Sequence, residues 1–578
     1  MTQMLSRALA CCQKHNIKND NNLLKNMKLS PSIKATLSAQ QVNLIVLLLM
    51  AVTFTSMLHY EINRGGAGLH LPHNIVIWAM MALLVLALYW PQSAETPTLS
   101  SPGNQWLLLG ALMITLPGLW PASLQHIGAW LPRVLGLWGG VILLLGLFRL
   151  KLSPASRQNW LLLILLSAWG QATLALLQWF VFTADNWMEF NLAERPYGIF
   201  QQVNVLASYL ATGYAIAAYL FMTSGSRIIR VISLFTLLVF PGMLMLLQSR
   251  IGWLGGVATL SLLSLYYWRQ RKMACLWLCS LFSLLGAFYL LQQMVGGSML
   301  SKEGSNTERW LILEYTWHMI RQHPWLGWGY GSFEAAFAQT LIQTINVPST
   351  LSFPSHPHNE VLYGWAEGGI VALVGMLVLA IGYIKPLLIQ PKVVFPLWVL
   401  TLPIALHLMT ELPLYQSAAH WLVLILLGRL MVPEHILISR PLPPSHWRRW
   451  LHGIIVLLAC CTLLFMITGF KTGRVLTLSE RSGLVNMQPL DNLVNPYIQW
   501  ERYQYIRHIN LLLQFNHNPD PALLSQFRVW AEQYIQLHND PNVYQSLIMI
   551  TLYQNDQIQA NHLRQIAHAL FPENLAFR

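Results

Sequence analysis

Asn159-Trp160-Leu161-Leu162-Leu163-Ile164-Leu165-Leu166-Ser167-Ala168-Trp169-Gly170-Gln171-Ala172-Thr173-Leu174-Ala175-Leu176-Leu177-Gln178-Trp179-Phe180-Val181-Phe182 contains no Asp, Glu, Lys or Arg. Crossing the roughly 30 Å of bilayer hydrocarbon takes about 20 apolar residues as a helix, and this run is long enough. Runs of the same kind recur along the chain. Thirteen spans are predicted, at 41–59, 73–90, 104–121, 129–148, 159–182, 199–222, 231–247, 251–267, 273–294, 359–382, 394–412, 417–433 and 450–469. The composition agrees: of 578 residues 55% are apolar and only 10% charged, with mean hydropathy +0.45. A soluble chain carries about a quarter charged residues. A soluble enzyme, a disordered chain and a fibre are therefore excluded.

Basic residues test the set of spans. With the N-terminus inside, the cytoplasmic segments hold Arg7, Lys14, Lys18, Lys25, Lys28, Lys34, Arg149, Lys151, Arg157, Arg227, Arg230, Arg269, Arg271, Lys272, Lys385, Lys392, Arg429, Arg440, Arg448 and Arg449, twenty in all. The short loops opposite hold three, Arg64, Arg195 and Arg250, with Arg133 just inside the outer end of the fourth span. Shifting the register by one span destroys the alternation, so the positive-inside rule supports both number and orientation. The net charge of +13 is then a topology signal, and no nucleic-acid partner is needed.

The expected architecture is an all-α polytopic membrane helix bundle of about 13 transmembrane helices, N-terminus in and C-terminus out. Its parts are a basic cytoplasmic tail (1–40), nine spans (41–294), a large outer loop (295–358), four spans (359–469) and an outer helical domain (470–578). The tail lacks a signal-peptide core and cleavage site, so the first span is expected to remain as an anchor. The C-terminal part shows amphipathic stretches at 497–515, 522–537, 542–553 and 559–570, broken at Asn518-Pro519 and Asp540-Pro541. They predict a small helical domain, of helical-hairpin repeat type. The six cysteines lie in the tail or inside apolar runs and frame neither disulfides nor a thiolate metal site.

Polar groups gather at the predicted outer ends of spans. The densest stretch is Ser355-His356-Pro357-His358-Asn359-Glu360, leading into Glu367-Gly368-Gly369. Pro357 extends the backbone before it, so the helix should begin near His358 or Asn359. A histidine there is held neutral by the helix dipole, as a general base must be. The alternative is a pair of interfacial caps in a wet loop. A His-x-His metal site is the weaker reading, because no helix-spaced carboxylate or cysteine set accompanies it.

Arg250, in Gln248-Ser249-Arg250, lies at a membrane depth where a cation needs a partner. Arg309 precedes an amphipathic stretch ending in Pro324-Trp325-Leu326-Gly327-Trp328-Gly329. Guanidinium forks match phosphate oxygens, so the two arginines are candidates for a diphosphate. Pairing of Arg309 with Glu308 or Glu314 is the bland alternative. His407 and Glu411 share one helix face near the outer end of the eleventh span. They read as substrate-binding groups, or as part of a buried ion pair that holds the bundle. Arg195, Gln202 and Asn204 precede or open the sixth span. Gln178 lies towards the outer end of the fifth, and Gln171 is expected to make only an interhelical hydrogen bond.

These residues resemble the O-antigen ligase/polymerase superfamily through His358-Asn359 with Glu367-Gly368-Gly369, Ser249-Arg250 and Pro324–Gly329. Arg195-Pro196-x-Gly198 with Gln202-x-Asn204, the segment Glu411-Leu412-Pro413-Leu414-Tyr415-Gln416-Ser417 with His420-Trp421, and the C-terminal domain are similar to bacterial protein O-oligosaccharyltransferases of the PglL type. One departure is Val203, where the family's amide motif usually has proline. The resemblance implies transfer of a preassembled glycan from undecaprenyl diphosphate to Ser or Thr of a periplasmic, pilin-like protein, at the Gram-negative inner membrane. It implies His358 as the catalytic histidine, and Arg250 and Arg309 at the diphosphate. Arg195, Gln178, Gln202, Asn204, His356, Asn359, His407, Glu411 and Tyr415 are the expected substrate-binding groups. No cofactor is expected, since the diphosphate ester carries the energy and arginines can take a metal's electrostatic role. An O-antigen ligase, a repeat-unit polymerase and, from another class, a transporter are the rivals. A transporter predicts inverted repeats and midplane charges, which are not seen.

Overall fold

The computed structural model describes residues 38–90, 98–295, 303–343, 353–440 and 446–577. The basic tail through residue 37, and the parts of the outer loop at 296–302 and 344–352, lie outside the described residues. The chain is built almost wholly of helices. The first nine are α1 (Ala39–Ser56), α2 (Pro72–Leu88), α3 (Asn104–Thr115), α4 (Ile127–Phe148), α5 (Pro154–Phe180), α6 (Val203–Thr223), α7 (Arg227–Leu246), α8 (Arg250–Tyr267) and α9 (Lys272–Val295). Next come α10 (Glu303–Gln322), α11 (Phe333–Ile342), α12 (Glu360–Ile389), α13 (Pro391–Val399), α14 (Leu402–Leu408), α15 (Ala418–Leu430) and α16 (His446–Gly469). The chain ends with α17 (Thr472–Arg481), α18 (Trp500–His517), α19 (Pro521–Tyr534), α20 (Pro541–Tyr553) and α21 (Gln557–Leu570). Thr98–Ser100 and Ile438–Arg440 form a small antiparallel pair.

Each of the thirteen apolar runs is largely helical, but they are not equal as spans. Among the described residues, seven helices are long and apolar enough to cross a membrane, or eight if the bent pair α13 and α14 counts as one. Four shorter apolar helices accompany them, at Gln40–Ser56, Pro72–Leu88, Asn104–Leu119 and Ala418–Leu430. The predicted eleventh span is broken by 64° because Pro403, near the start of α14, lacks the N–H that would continue α13. The sixth begins at Val203 rather than 199. Gln202 caps it by accepting from the Val205 N–H, and Gln201 before it has φ +56°.

The centre is α6, buried over nearly its whole length and rich in small residues. Ala207 faces Gly252 of α8, and Gly213 faces Ala168 of α5, so close that a Cβ added to either glycine would meet the neighbour at 2.8 and 2.6 Å. Small residues allow this approach between helices that gain no hydrophobic drive in lipid.

Polar clasps sort the loops onto two opposite faces. On one, Glu61 accepts from Arg474 (2.7 Å), Glu189 takes both Nη atoms of Arg481 (2.7 and 2.6 Å), and Glu334 accepts from the Asn539 N–H (2.7 Å). On the other, Arg157 and Arg429 share Glu434 (3.0 and 2.7 Å), and Arg429 caps the Leu147 and Leu150 carbonyls. The segregation follows the alternation of span ends. The last three helices begin where aspartates cap them: Asp520 and Asp540 directly before prolines, and Asp556 before α21.

Two motifs bind each other. Gly369 has φ +64° and interrupts α12, which frees the carbonyls of Ala366 and Glu367. They accept from the Trp328 and Gly329 N–H groups (2.9 Å each), and the Ile370 N–H donates to the Trp325 carbonyl (3.1 Å). The Pro324–Gly329 run is thus laid into the break. A Cβ on Gly369 would fall 2.2 Å from the Trp325 oxygen. Gly369→Ala is therefore expected to destabilise the protein by about 3 kcal/mol, combining left-handed strain with the clash. Denaturation in detergent micelles checks this, and wild-type stability would refute the docking of these two motifs.

Candidate active site

Three separate stretches of chain, 202–204, 309 and 407–411, meet at one carboxylate. Glu411 follows α14, and its N–H still bonds to the His407 carbonyl (2.9 Å), so the two side chains keep their one-turn relation. The residue is 3% exposed. Its carboxylate accepts four donors. Oε1 takes Asn204 Nδ2 (2.6 Å) and Arg309 Nη2 (2.9 Å); Oε2 takes Gln202 Nε2 (3.0 Å) and His407 Nε2 (3.1 Å). The carboxylate that meets Arg309 thus lies 102 positions away in the chain. Arg309 keeps 39% of its side chain exposed. Nη2 of the guanidinium is clamped while the side chain as a whole stays partly open to solvent.

Arg250 closes a ring with this cluster. Ser249 Oγ donates to Asn204 Oδ1 (2.7 Å), and Arg250 donates to Asn306 Oδ1. Asn306 and Arg309 lie one turn apart on α10. The contacts therefore run Arg250, Asn306, Arg309, Glu411, Asn204, Ser249 and back to Arg250. Both arginines are held on one patch, and Arg250 itself is exposed.

His358 stands beside the patch. It has φ +54°, a left-handed conformation uncommon for a residue with a Cβ, and its N–H donates to His356 Nδ1 (3.2 Å). The rings meet edge-on at 4.5 Å. His358 Nδ1 is buried with no hydrogen-bond partner in the protein. Burial first, and then the Arg309 guanidinium, lower the His358 pKa below its ordinary 6.5. Burial, followed by His358, lowers that of His356 to about 4. Both imidazoles are neutral at neutral pH. Asn359 caps α12 by accepting from the Leu362 N–H (3.0 Å), where the helix start was predicted, and its Nδ2 donates to the Met409 carbonyl (3.1 Å). The turn of His358 is thereby tied to the break that carries Glu411. Among the described residues, no group of three His, Cys, Asp or Glu side chains is arranged to hold a metal.

Other expected binding groups stand behind this surface. Gln178 is 2% exposed and spends its amide on the Tyr197–Gly198 backbone, giving to the Gly198 carbonyl (3.0 Å) and accepting from both N–H groups. Gln171 accepts from the Ile199 N–H (3.0 Å), so it fixes the same turn rather than a neighbouring helix. Arg195 donates to the Leu247 and Gln248 carbonyls (2.8 and 3.3 Å), where a cation suits the C-terminal end of α7. It shapes the turn that presents Ser249 and Arg250. His407 is fully buried. Tyr415 donates to Glu360 Oε1 (2.7 Å), within a second buried cluster in which Arg133 pairs with Glu367 (3.0 Å) and lies over the Tyr363 ring (5.0 Å). Arg133 entered the sequence reading only as a charge near a span end, and Asn306 was given no role in it. No local pattern marks either, because their partners are distant in the chain.

Family comparisons follow the same stretches. Residues 196–221 match a protein glycosylation ligase model, 233–377 an O-antigen ligase model, and 396–578 a virulence factor membrane-bound polymerase C-terminal model. No match was found among curated proteins. Asn204 falls in the first matched stretch, Arg250, Arg309 and His358 in the second, and His407 and Glu411 in the third. Carried in order by a multi-pass membrane chain whose fold gathers their polar residues into one cluster, these matches support an O-antigen ligase superfamily member of the PglL type.

Proposed function

We propose that this glycosyl-transferring membrane enzyme moves a preassembled oligosaccharide, as one block, from undecaprenyl diphosphate to Ser or Thr of a periplasmic, pilin-like protein, at the Gram-negative inner membrane. The observation that carries this reading is a half-buried histidine with a lowered pKa beside Arg309, which Asn306 of the same helix links to Arg250. His358 takes the proton from the acceptor hydroxyl as that oxygen bonds to the anomeric carbon. The bond from this carbon to the diphosphate oxygen breaks, and the polyprenyl diphosphate leaves with the electron pair. Arg250 and Arg309 meet its growing charge. Fixed cations aimed at a developing anion usually lower the barrier more than any other group in a site. His356 accepts the His358 N–H with Nδ1 and so braces the turn, whereas His358 keeps a ring nitrogen unspent. That difference favours His358 as the base.

A carrier chain also has a fitting place. An apolar cavity of about 520 Å³ lies between α6, α7, α8 and α9, lined by Pro241, Leu244, Trp253, Val257, Leu260 and Phe288 among others. Trp253, Val257 and Leu260 follow Arg250 by three, seven and ten residues, on one face of α8. Trp310, next to Arg309 in the chain, is exposed, as side chains at a headgroup layer are. The C-terminal domain, clasped to the same face through Glu334, supports a protein as the acceptor.

The test is incubation of purified enzyme with undecaprenyl-diphosphate oligosaccharide and a pilin, read by intact mass. One glycan mass should be added. Because the base must be neutral and its pKa is lowered, the rate should hold as pH falls through 6.5 and decline only below it. An acidic limb centred above 6.5 would remove His358 from this role.

A further inference from the structure

Glu411 is one end of a longer chain of contacts that crosses three helices. His407 Nε2 meets Glu411 Oε2, and His407 Nδ1 meets Ser208 Oγ at 2.8 Å. Ser208 Oγ meets His420 Nε2 at 3.0 Å, and His420 Nδ1 meets Ser417 Oγ at 3.0 Å. Ser208, His407, Ser417 and His420 are each 0% exposed. Ser208 belongs to α6, His407 to α14 and His420 to α15, with Ser417 as its N-cap.

One proton per imidazole gives this chain one direction. An ionised carboxylate only accepts, so His407 carries a proton on Nε2, and a ring with one proton then presents Nδ1 as an acceptor. Ser208 then donates to His407; the Val205 carbonyl, at 3.2 Å, is the longer choice for that proton. With its one proton spent, Ser208 accepts from His420 Nε2. That leaves His420 Nδ1 to accept from Ser417. With one proton on each ring, the two histidines share a tautomer and every donor points towards Glu411. Partners of this kind fix the orientation of the group that touches the ligand.

We infer that Ser208, His407 and His420 form a buried relay that holds Glu411 as an oriented carboxylate, and through it sets the Arg309 guanidinium for the diphosphate. These are positioning residues, since none of them reaches the patch. Their role in donor binding rests on the proposed reaction.

The experiment is donor and acceptor titration with undecaprenyl-diphosphate oligosaccharide and a pilin. Ser208→Ala should raise the donor KM by roughly ten- to a hundredfold, the scale on which such supporting partners act, and leave the acceptor KM unchanged. Ser208→Thr keeps the hydroxyl and should restore the donor KM. Ser208→Ala combined with Arg309→Lys should lose little beyond Arg309→Lys alone, because both changes act through one guanidinium. Losses that multiply, or a Ser208→Ala enzyme with wild-type constants, would overturn the relay. Should Ser208→Ala fail to fold, His420→Phe breaks the same chain. Its ring replaces one that already packs against Phe200 and Tyr209 at 5.5 and 5.1 Å, and the same outcomes apply. A wild type inert with this donor counts against the reaction; an active wild type matched by the variants counts against the relay alone.

Discussion

His358→Ala is expected to lower glycan transfer by about 10² to 10⁴-fold, the range of a lost general base, while leaving donor binding and folding intact. The side chain is not a packing element of the bundle. Its Nδ1 makes no hydrogen bond within the protein, and the bond to His356 comes from the main-chain N–H, which alanine keeps. Alanine at φ +54° keeps the Cβ strain that histidine already bears, with a small further cost because histidine is the more frequent of the two in this conformation. His356→Ala should cost less, roughly tenfold, because it removes only the acceptor for the His358 N–H and loosens the turn. Initial rates at saturating donor, with folding checked by thermal unfolding in micelles, separate the two. Near-normal transfer by His358→Ala would end its assignment as base; a larger loss at His356 would exchange the roles.

The second large effect is expected at Glu411. Glu411→Ala leaves Asn204, Gln202 and His407 facing a gap, each an unpaired donor that costs about 1–3 kcal/mol when buried. Arg309, two-fifths exposed, recovers part of its loss from water, so its share is discounted. A destabilisation on the order of 3 kcal/mol is expected, together with at least a hundredfold loss of transfer once Arg309 is no longer oriented. Glu411→Gln keeps the shape, but it turns one acceptor into a donor towards two donors and should fall between. Denaturation and transfer assays on both variants check this. An alanine variant with wild-type stability and rate would show that the carboxylate neither holds the site nor orients the arginine.

The pairs His407–Glu411 and Arg309–Glu411 mark where sequence reading stops. The first pair is four residues apart, and helix geometry alone predicts that they share a face. The second is joined across 102 residues, whereas local spacing offers only the near carboxylates Glu308 and Glu314. Asn359 as the start of α12 was legible because Pro357 and a capping side chain act locally. The bend between α13 and α14 was signalled by Pro403 but hidden inside an apolar run that reads as continuous. Gln178 and Arg195 were legible as polar groups near outer ends. That they serve the Tyr197–Gly198 turn and the end of α7 depended on backbone placed by other segments.

The apolar runs, their alternation with lysine and arginine, and the caps and breaks of single helices were determined by the sequence alone. Lipid cannot hydrogen-bond a backbone, so every membrane-crossing stretch of about 20 residues must satisfy itself as a helix. The choice of partners was decided only in three dimensions: which guanidinium meets Glu411, how Arg250 joins Arg309 through Asn306, and how two histidines align through Ser208. A buried polar group binds whatever donor the packing brings within about 3 Å. Helix packing, unlike helix formation, is set by contacts between residues far apart in the chain.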